Sequence, residues 1–179
     1  VPANLGAIRG IAASAFTTCA VRDPEGSVVC WGLGPHKELE VPSISEVVRT
    51  ISGFNVDFCA TLMSGRPVCW GWDDWQQTRV PSSVSDTIDV APGRSMTCSI
   101  ARDATLTCWG GPHYGAIPAS VQRARDVAIG EYAACAIAAN REVTCWSGYS
   151  GAAALVSDVP KGVAARSVDV GVNLSLIHI

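Results

Sequence analysis

The run Cys-Trp-Gly occurs at Cys30-Trp31-Gly32, Cys69-Trp70-Gly71 and Cys108-Trp109-Gly110, and returns as Cys145-Trp146-Ser147. Each copy has a second cysteine ten or eleven residues upstream, at Cys19, Cys59, Cys98 and Cys135, which accounts for all 8 cysteines. A period near 39 residues marks a chain built from one supersecondary unit used repeatedly. A second anchor is an apolar-Pro pair, at Val1-Pro2, Val41-Pro42, Val80-Pro81, Ile117-Pro118 and Val159-Pro160. From each of the first four prolines to the next cysteine the count is 17 residues, whereas proline to proline runs 40, 39, 37 and 42. Most of the length variation therefore falls after the Trp-Gly step, in 33–40, 72–79, 111–116 and 147–158. Insertions of this kind map to surface loops, often on a binding face.

The grammar inside a unit is β. In the second unit Val47–Ile51 is rich in β-branched residues, Gly53-Phe54-Asn55 reads as a turn, and Val56–Leu62 as a second strand. Ser64-Gly65 breaks the chain and Pro67–Gly71 reads as a third strand. The other hairpin tips are Asp23-Pro24-Glu25-Gly26, Arg102-Asp103-Ala104 and Ala139-Asn140-Arg141, so only the first two units carry a tip glycine. Cys59 and Cys69 each lie five residues from Ser64, so an antiparallel hairpin sets them opposite one another. Cβ atoms so placed are about 4.5–5.5 Å apart, which suits a disulfide. Closing such a loop is expected to stabilise a unit by roughly 2.5–3 kcal/mol on the chain-entropy model. Reduced structural cysteines are the alternative. Metal is disfavoured, because Cys-x-x-Cys knuckles are absent and the histidines, His36, His113 and His178, do not repeat in register. Disulfides imply an oxidising compartment: extracellular, periplasmic or cell-surface.

These motifs, a Cys-Ala start, a Cys-Trp-Gly end and the Gln77-Thr78-Arg79-Val80-Pro81 joint, resemble the regulator-of-chromosome-condensation type repeat in its short, cysteine-paired variety. The pattern is similar to a secreted bacterial β-lactamase-inhibitor propeller and to the ectodomain repeats of plant crinkly-type receptor kinases. The resemblance implies an all-β fold, a β-propeller fragment of about four three-stranded antiparallel blades plus a partial fifth, with one cross-strand disulfide per blade. Blades are expected over 2–41, 42–80, 81–117 and 118–159, with a partial blade over 160–173, all within a propeller domain spanning 1–173. Departures are visible. A histidine common before the first cysteine is replaced by Thr18, Phe58, Thr97 and Ala134, and Trp-Gly becomes Trp146-Ser147. No residue of the eukaryotic nucleotide-exchange surface carries over.

The fifth unit opens at Pro160, and Ser167–Gly171 follows the pattern of Asp126–Gly130. A cysteine is due near position 176, but the chain reads Leu174-Ser175-Leu176-Ile177-His178-Ile179. CTG TCT CTT ATA CAC ATC encodes that hexapeptide and looks like the end of a transposon-based sequencing adapter, so 174–179 is expected to be read-through and the chain a fragment. The glycosylation pattern at Asn173-Leu174-Ser175 is discounted on the same ground.

Hydrophobic residues make up 48% of the chain, yet no apolar run approaches the eighteen or so that span a bilayer. A net charge of −3 argues against a nucleic-acid surface. Trp31, Trp70, Trp109 and Trp146 stand in register and are expected to pack between blades. Trp72 and Trp75 break the register and flank Asp73-Asp74 in a variable loop. In a three-stranded blade, the turn between the first two strands and the loop leaving the third lie at one end. That face would gather Phe54, Asn55, Arg94, Glu131 and Tyr132 from turns, and His36, Trp72, Asp73, Trp75, His113, Tyr114 and Tyr149 from loops. Exposed aromatics are enriched at interface hot spots. Catalytic, cofactor and metal residues are not expected: the chain has no Gly-rich phosphate loop, no Ser-His-Asp motif and no repeated carboxylate pair. The reading is a non-catalytic extracytoplasmic module with a protein or glycan partner and no membrane insertion within these residues. The alternatives are an intracellular exchange-factor-like scaffold acting on a small GTPase, or a propeller appended to an enzyme or receptor kinase.

Overall fold

The computed structural model describes residues 1–149, Gly151, Val159, Gly162, 164–171 and 175–178. Four three-stranded antiparallel sheets follow one another along the chain. They are β1 (Ile8–Ala13), β2 (Thr17–Arg22) and β3 (Val28–Gly32); β4 (Val48–Phe54), β5 (Asp57–Leu62) and β6 (Pro67–Gly71); β7 (Thr87–Pro92), β8 (Met96–Ala101) and β9 (Leu106–Gly110); and β10 (Ala124–Ile129), β11 (Ala134–Ala138) and β12 (Val143–Trp146). A two-stranded sheet of β13 (Ser167–Val170) and β14 (Ser175–His178) follows. β14 lies in the hexapeptide read above as foreign, at the place where the second strand of a fifth unit is due.

In each full sheet the cysteines are directly opposite in the register: Cys19 with Cys30, Cys59 with Cys69, Cys98 with Cys108 and Cys135 with Cys145. All four pairs are disulfides, with Cα atoms 4.0–4.1 Å apart. In the second unit β4 runs on through Gly53 and Phe54, so the expected three-residue turn shrinks to Asn55-Val56. Asn55 adopts φ 52°, a left-handed conformation that asparagine tolerates, which makes the tight turn possible.

First strands pack against first strands: β1 on β4, β4 on β7, β7 on β10 and β10 on β13. The sheets are therefore arranged about a common axis, as in a β-propeller. Sheet packs on sheet because strand alternation sends the second-strand cysteine to one face and its neighbours to the other. The Cys19 and Val21 face of the first sheet meets Phe58, Ala60, Leu62 and Trp70 of the second. Likewise Cys98 and Ile100 meet Ala134, Ala136 and Trp146, and Cys135 and Ile137 meet Val168 and Val170. Burying a side chain such as Phe58 or Leu62 contributes about 1.5–3 kcal/mol. Trp70 and Trp146 are buried at these seams and Trp31 and Trp109 are half-buried. The seam between the second and third sheets is different. Its equivalent positions are Cys59 and Thr61 against Thr97 and Ser99, all buried, and the Thr61 and Thr97 hydroxyls have no partner among the described residues.

The glycine that closes each motif has a steric cause. Gly32, Gly71 and Gly110 adopt φ of 121°, 117° and 110°, and a Cβ there would lie 2.3, 2.3 and 2.5 Å from the carbonyl oxygens of Phe16, Val56 and Ser95. Hairpin tips show the opposite case. Gly26 and Gly65 take positive φ, but in units three and four Ala104 (φ 74°) and Arg141 (φ 71°) hold that conformation at a steric cost. Ala104→Gly is therefore expected to raise stability by about 0.5–1 kcal/mol, while Gly110→Ala lowers it by at least about 1–3 kcal/mol. Chemical denaturation of the two variants checks this; equal effects would refute it.

Candidate functional site

The loop leaving each third strand is held against the turn between the first and second. The amides of Leu33, Trp72 and Gly111 donate to the carbonyls of Phe16, Val56 and Ser95 at 2.9, 3.4 and 2.7 Å. Turns and loops thus share one end of each sheet. In the fourth unit Ser147 replaces the glycine, and its Oγ donates to the carbonyl of Tyr132 at 2.5 Å. A side-chain hydroxyl here makes the contact that the backbone makes elsewhere. The amide of Tyr149 in turn donates to that Oγ at 3.0 Å.

From these loops a buried side chain reaches across to the next sheet. Glu38 and Gln77 have no exposed surface and occupy equivalent positions, three residues before the Val-Pro joint. Each carboxyl or amide oxygen accepts from the backbone two residues earlier: Glu38 Oε2 from the His36 amide at 2.6 Å, Gln77 Oε1 from the Trp75 amide at 3.0 Å. Their own carbonyls accept from the tryptophan of the following unit, Trp70 Nε1 at 3.0 Å and Trp109 Nε1 at 2.9 Å. Gln77 Nε2 also donates to Asp57 Oδ2 at 3.3 Å and to the Arg94 carbonyl at 3.5 Å. One side chain thereby fixes the backbone of both Trp75 and Arg94. In the third unit Tyr114 holds the equivalent place, buried, with its hydroxyl donating to the Gly130 carbonyl at 2.6 Å. Burial pushes its phenol up to about 12.

Above these anchors lies a cleft of about 390 Å³, lined by Trp75, Arg94, Ser95, Pro112, His113, Glu131, Tyr132, Gly148 and Tyr149. Trp75 meets His113 edge to face, with ring centroids 4.4 Å apart, and Tyr132 stacks on Tyr149 at 5.2 Å. Arg94 bridges to Glu131 Oε1 at 2.5 Å and its guanidinium stands 5.8 Å from the centre of the Tyr132 ring. Aromatic faces and a neutralised charge pair are thus brought to one open surface by the second, third and fourth units.

Six of the residues expected on this face therefore converge: Trp75, Arg94, Glu131, His113, Tyr132 and Tyr149. The others do not. Tyr114 is a correction, since its ring is 1% exposed and anchors the loop from below. Asp73 faces its own loop: Oδ1 accepts from Thr78 N and Oγ1, and Oδ2 pairs with Arg79 at 2.7 Å. Burial works against the charge, but the Thr78 and Arg79 hydrogen bonds hold this carboxyl below its usual value. Trp72 stands beside His36, 6.3 Å away, away from the cleft. Phe54 lines a separate 170 Å³ groove between first strands, and the Asn55 carbonyl accepts from the Ala15 amide at 2.6 Å. Glu38, Asp57 and Gln77 are absent from the face expected from the sequence, where Gln77 enters only as part of the Gln-Thr-Arg-Val-Pro joint. Their register before the Val-Pro joint was the available signal for Glu38 and Gln77; Asp57 offered none.

No protein-family model matches the chain, and no curated protein sequence matches it. Among solved structures it is similar to the CRINKLY WD40 ectodomain of the Arabidopsis thaliana receptor kinase ACR4, at 20% identity and a TM-score of 0.71, covering 90% of this chain and 55% of that one. The ectodomain of the Physcomitrella patens receptor kinase CR4 aligns at 19% identity and a TM-score of 0.68, over 90% of this chain and 44% of that one. Prp20p from Saccharomyces cerevisiae aligns at 16% and 0.61, over 76% and 44%. At such identities the likeness is one of fold, the β-propeller with three-stranded, here disulfide-paired, blades. The chain spans about half the length of these solved chains. No helix among its described residues is long and apolar enough to cross a membrane.

The anchor beneath the cleft carries a pH signature. Asp57 is 1% exposed, and its Oδ1 has no partner among the described residues. Burial pushes its carboxyl up to about 8 from 3.8; the Gln77 hydrogen bond opposes the rise, and the negative charges of Asp73 and Glu38 add to it. The fold therefore retains a proton that the unfolded chain releases above 3.8, and Asp57 lowers stability as pH rises from there to about 8. Asp57→Asn cannot ionise. Its melting temperature relative to wild type is expected to climb across that window and level off above it; a pH-independent difference would exclude this role.

Proposed function

We propose that this chain is a non-catalytic binding module, part of an extracytoplasmic propeller whose partner, a protein or glycan, docks on the cleft between Trp75, Arg94, Glu131, His113, Tyr132 and Tyr149. The observation that carries this reading is the cleft itself, where paired aromatic rings surround a neutralised charge pair. Tyr149 and Trp75 remain 54% and 40% exposed there. Apolar surface of this kind, rimmed by polar groups and fixed by buried hydrogen bonds, is what a preformed contact site offers. Four disulfides support an oxidising compartment, and two of the similar structures are receptor ectodomains. Prp20p, which shares the fold, has binding properties to Gsp1p and histones. A protein partner is in keeping with that use of the architecture, while the chain's net charge of −3 gives no footing for nucleic acid.

Selection of a displayed peptide library on the oxidised wild-type protein tests the proposal, followed by rebinding to Trp75→Ala and Tyr132→Ala. Binders are expected to lose about tenfold or more in affinity on each variant, as hot-spot residues do. Selected ligands that bind wild type and both variants alike would place the contact surface elsewhere.

A further inference from the structure

The cleft's polar groups are largely engaged with one another. Arg94 pairs with Glu131 and leans on the Tyr132 ring, and the Ser147 hydroxyl donates to the Tyr132 carbonyl. What remains for a ligand is the exposed part of the Trp75 and Tyr149 side chains, 40% and 54%, each of which carries a single donor, an indole N–H or a phenol hydroxyl. A charged ligand would have to compete with the Arg94–Glu131 pair, which is only partly exposed at 43% and 25%. A sugar ring presents several hydroxyls, each needing its own donor or acceptor, and unpaired ones are costly when desolvated.

One ligand chemistry fits ring faces combined with isolated donors. A polyproline II segment has no internal hydrogen bonds, so its carbonyls stand free to accept from an indole or phenol. Its prolyl and aliphatic side chains pack on aromatic walls, and its rigidity lowers the entropy lost on binding. The cleft provides two such walls, the Trp75–His113 pair and the Tyr132–Tyr149 pair, with Pro112 in its lining. The walls are held rigid from below. Gln77 fixes the Trp75 backbone and Ser147 ties Tyr132 to Tyr149.

On the reading that this cleft is the contact site, we infer that its occupant is an uncharged, proline-rich peptide segment in the polyproline II conformation. Charge complementarity sets the occupant's neutrality, and the two aromatic walls set its extended, ring-bearing form.

The test is fluorescence anisotropy with the oxidised chain and a labelled, end-capped peptide of sequence Ala-Pro-Pro-Leu-Pro-Pro-Leu-Pro-Ala. Controls are the same peptide with alanine for every proline, a version with lysine and glutamate for the leucines, and an unlabelled oligosaccharide panel as competitor. Saturable binding of the proline peptide is expected, weakened about tenfold or more by Trp75→Ala, by Tyr132→Ala and by the alanine or charged controls. Hydrogen-exchange profiles of the variants matching wild type outside the cleft keep loss of binding distinct from loss of fold. Saturable binding of the alanine or charged peptide, or of an oligosaccharide, with loss in the same two variants would overturn the proline-rich assignment and leave the cleft a contact site. No saturable binding of the proline peptide overturns the assignment as well. Binding that ignores both variants removes the cleft from consideration and takes the reading beneath it down too.

Discussion

In the first three units the third strand ends where its backbone passes so close to the preceding turn that only a glycine fits. At Gly32, Gly71 and Gly110 a Cβ would sit within 2.5 Å of a carbonyl oxygen, and φ lies beyond 100°. That approach does more than end a strand. It aligns the following amide with the same carbonyl and directs the chain across the end of the sheet toward the next unit. The loop then arrives where Glu38 or Gln77 can bury its side chain, satisfy its own loop and accept from the next tryptophan. The disulfide fixes the pair of strands that must approach, and the glycine fixes how the chain leaves them. Coupling between neighbouring units is therefore carried at this end by hydrogen bonds and along the seams by alternating apolar faces.

The fourth unit departs from the scheme, and it supplies the Tyr132–Tyr149 side of the cleft. Ser147 in place of glycine gives the closing hydrogen bond to its hydroxyl rather than to an amide. Tyr132 occupies the turn position held by Phe16, Val56 and Ser95 in the other units, and Tyr149 lies on it. One unit earlier the anchor is Tyr114 instead of Gln77, reaching with a phenol to Gly130 and Glu131. The indole N–H of Trp146 has no partner among the described residues, unlike those of Trp70 and Trp109, which donate to the carbonyls of Glu38 and Gln77. Local departures from the repeat thus coincide with the open, aromatic part of the surface.

Much of the architecture was legible in the sequence because its determinants are local. Mirror-placed cysteines about a turn specify an antiparallel pair, and the fixed count from proline to cysteine specifies which strands belong together. The end of the sheet on which Trp75, Arg94, Glu131 and Tyr132 meet followed from strand order alone. What stayed hidden depends on burial that composition does not announce. Glu38, Asp57 and Gln77 look like ordinary loop and turn polars, yet all three are inside. Tyr114 looked like a surface aromatic because its loop varies in length, but its position before Ile117-Pro118 is that of a buried anchor. The polar seam at Thr61, Thr97 and Ser99 likewise required knowing which faces meet.

Native-state hydrogen exchange of the amides of Leu33, Trp72 and Gly111 tests most directly whether the glycine approach organises the molecule. These three donate to Phe16, Val56 and Ser95, although they lie just outside the strands in loops. The account predicts that they exchange with the slow amides of the adjoining β2, β5 and β8, through the same opening event. Exchange as fast as that of the exposed loop amides of Asp74 or Lys37 would contradict it.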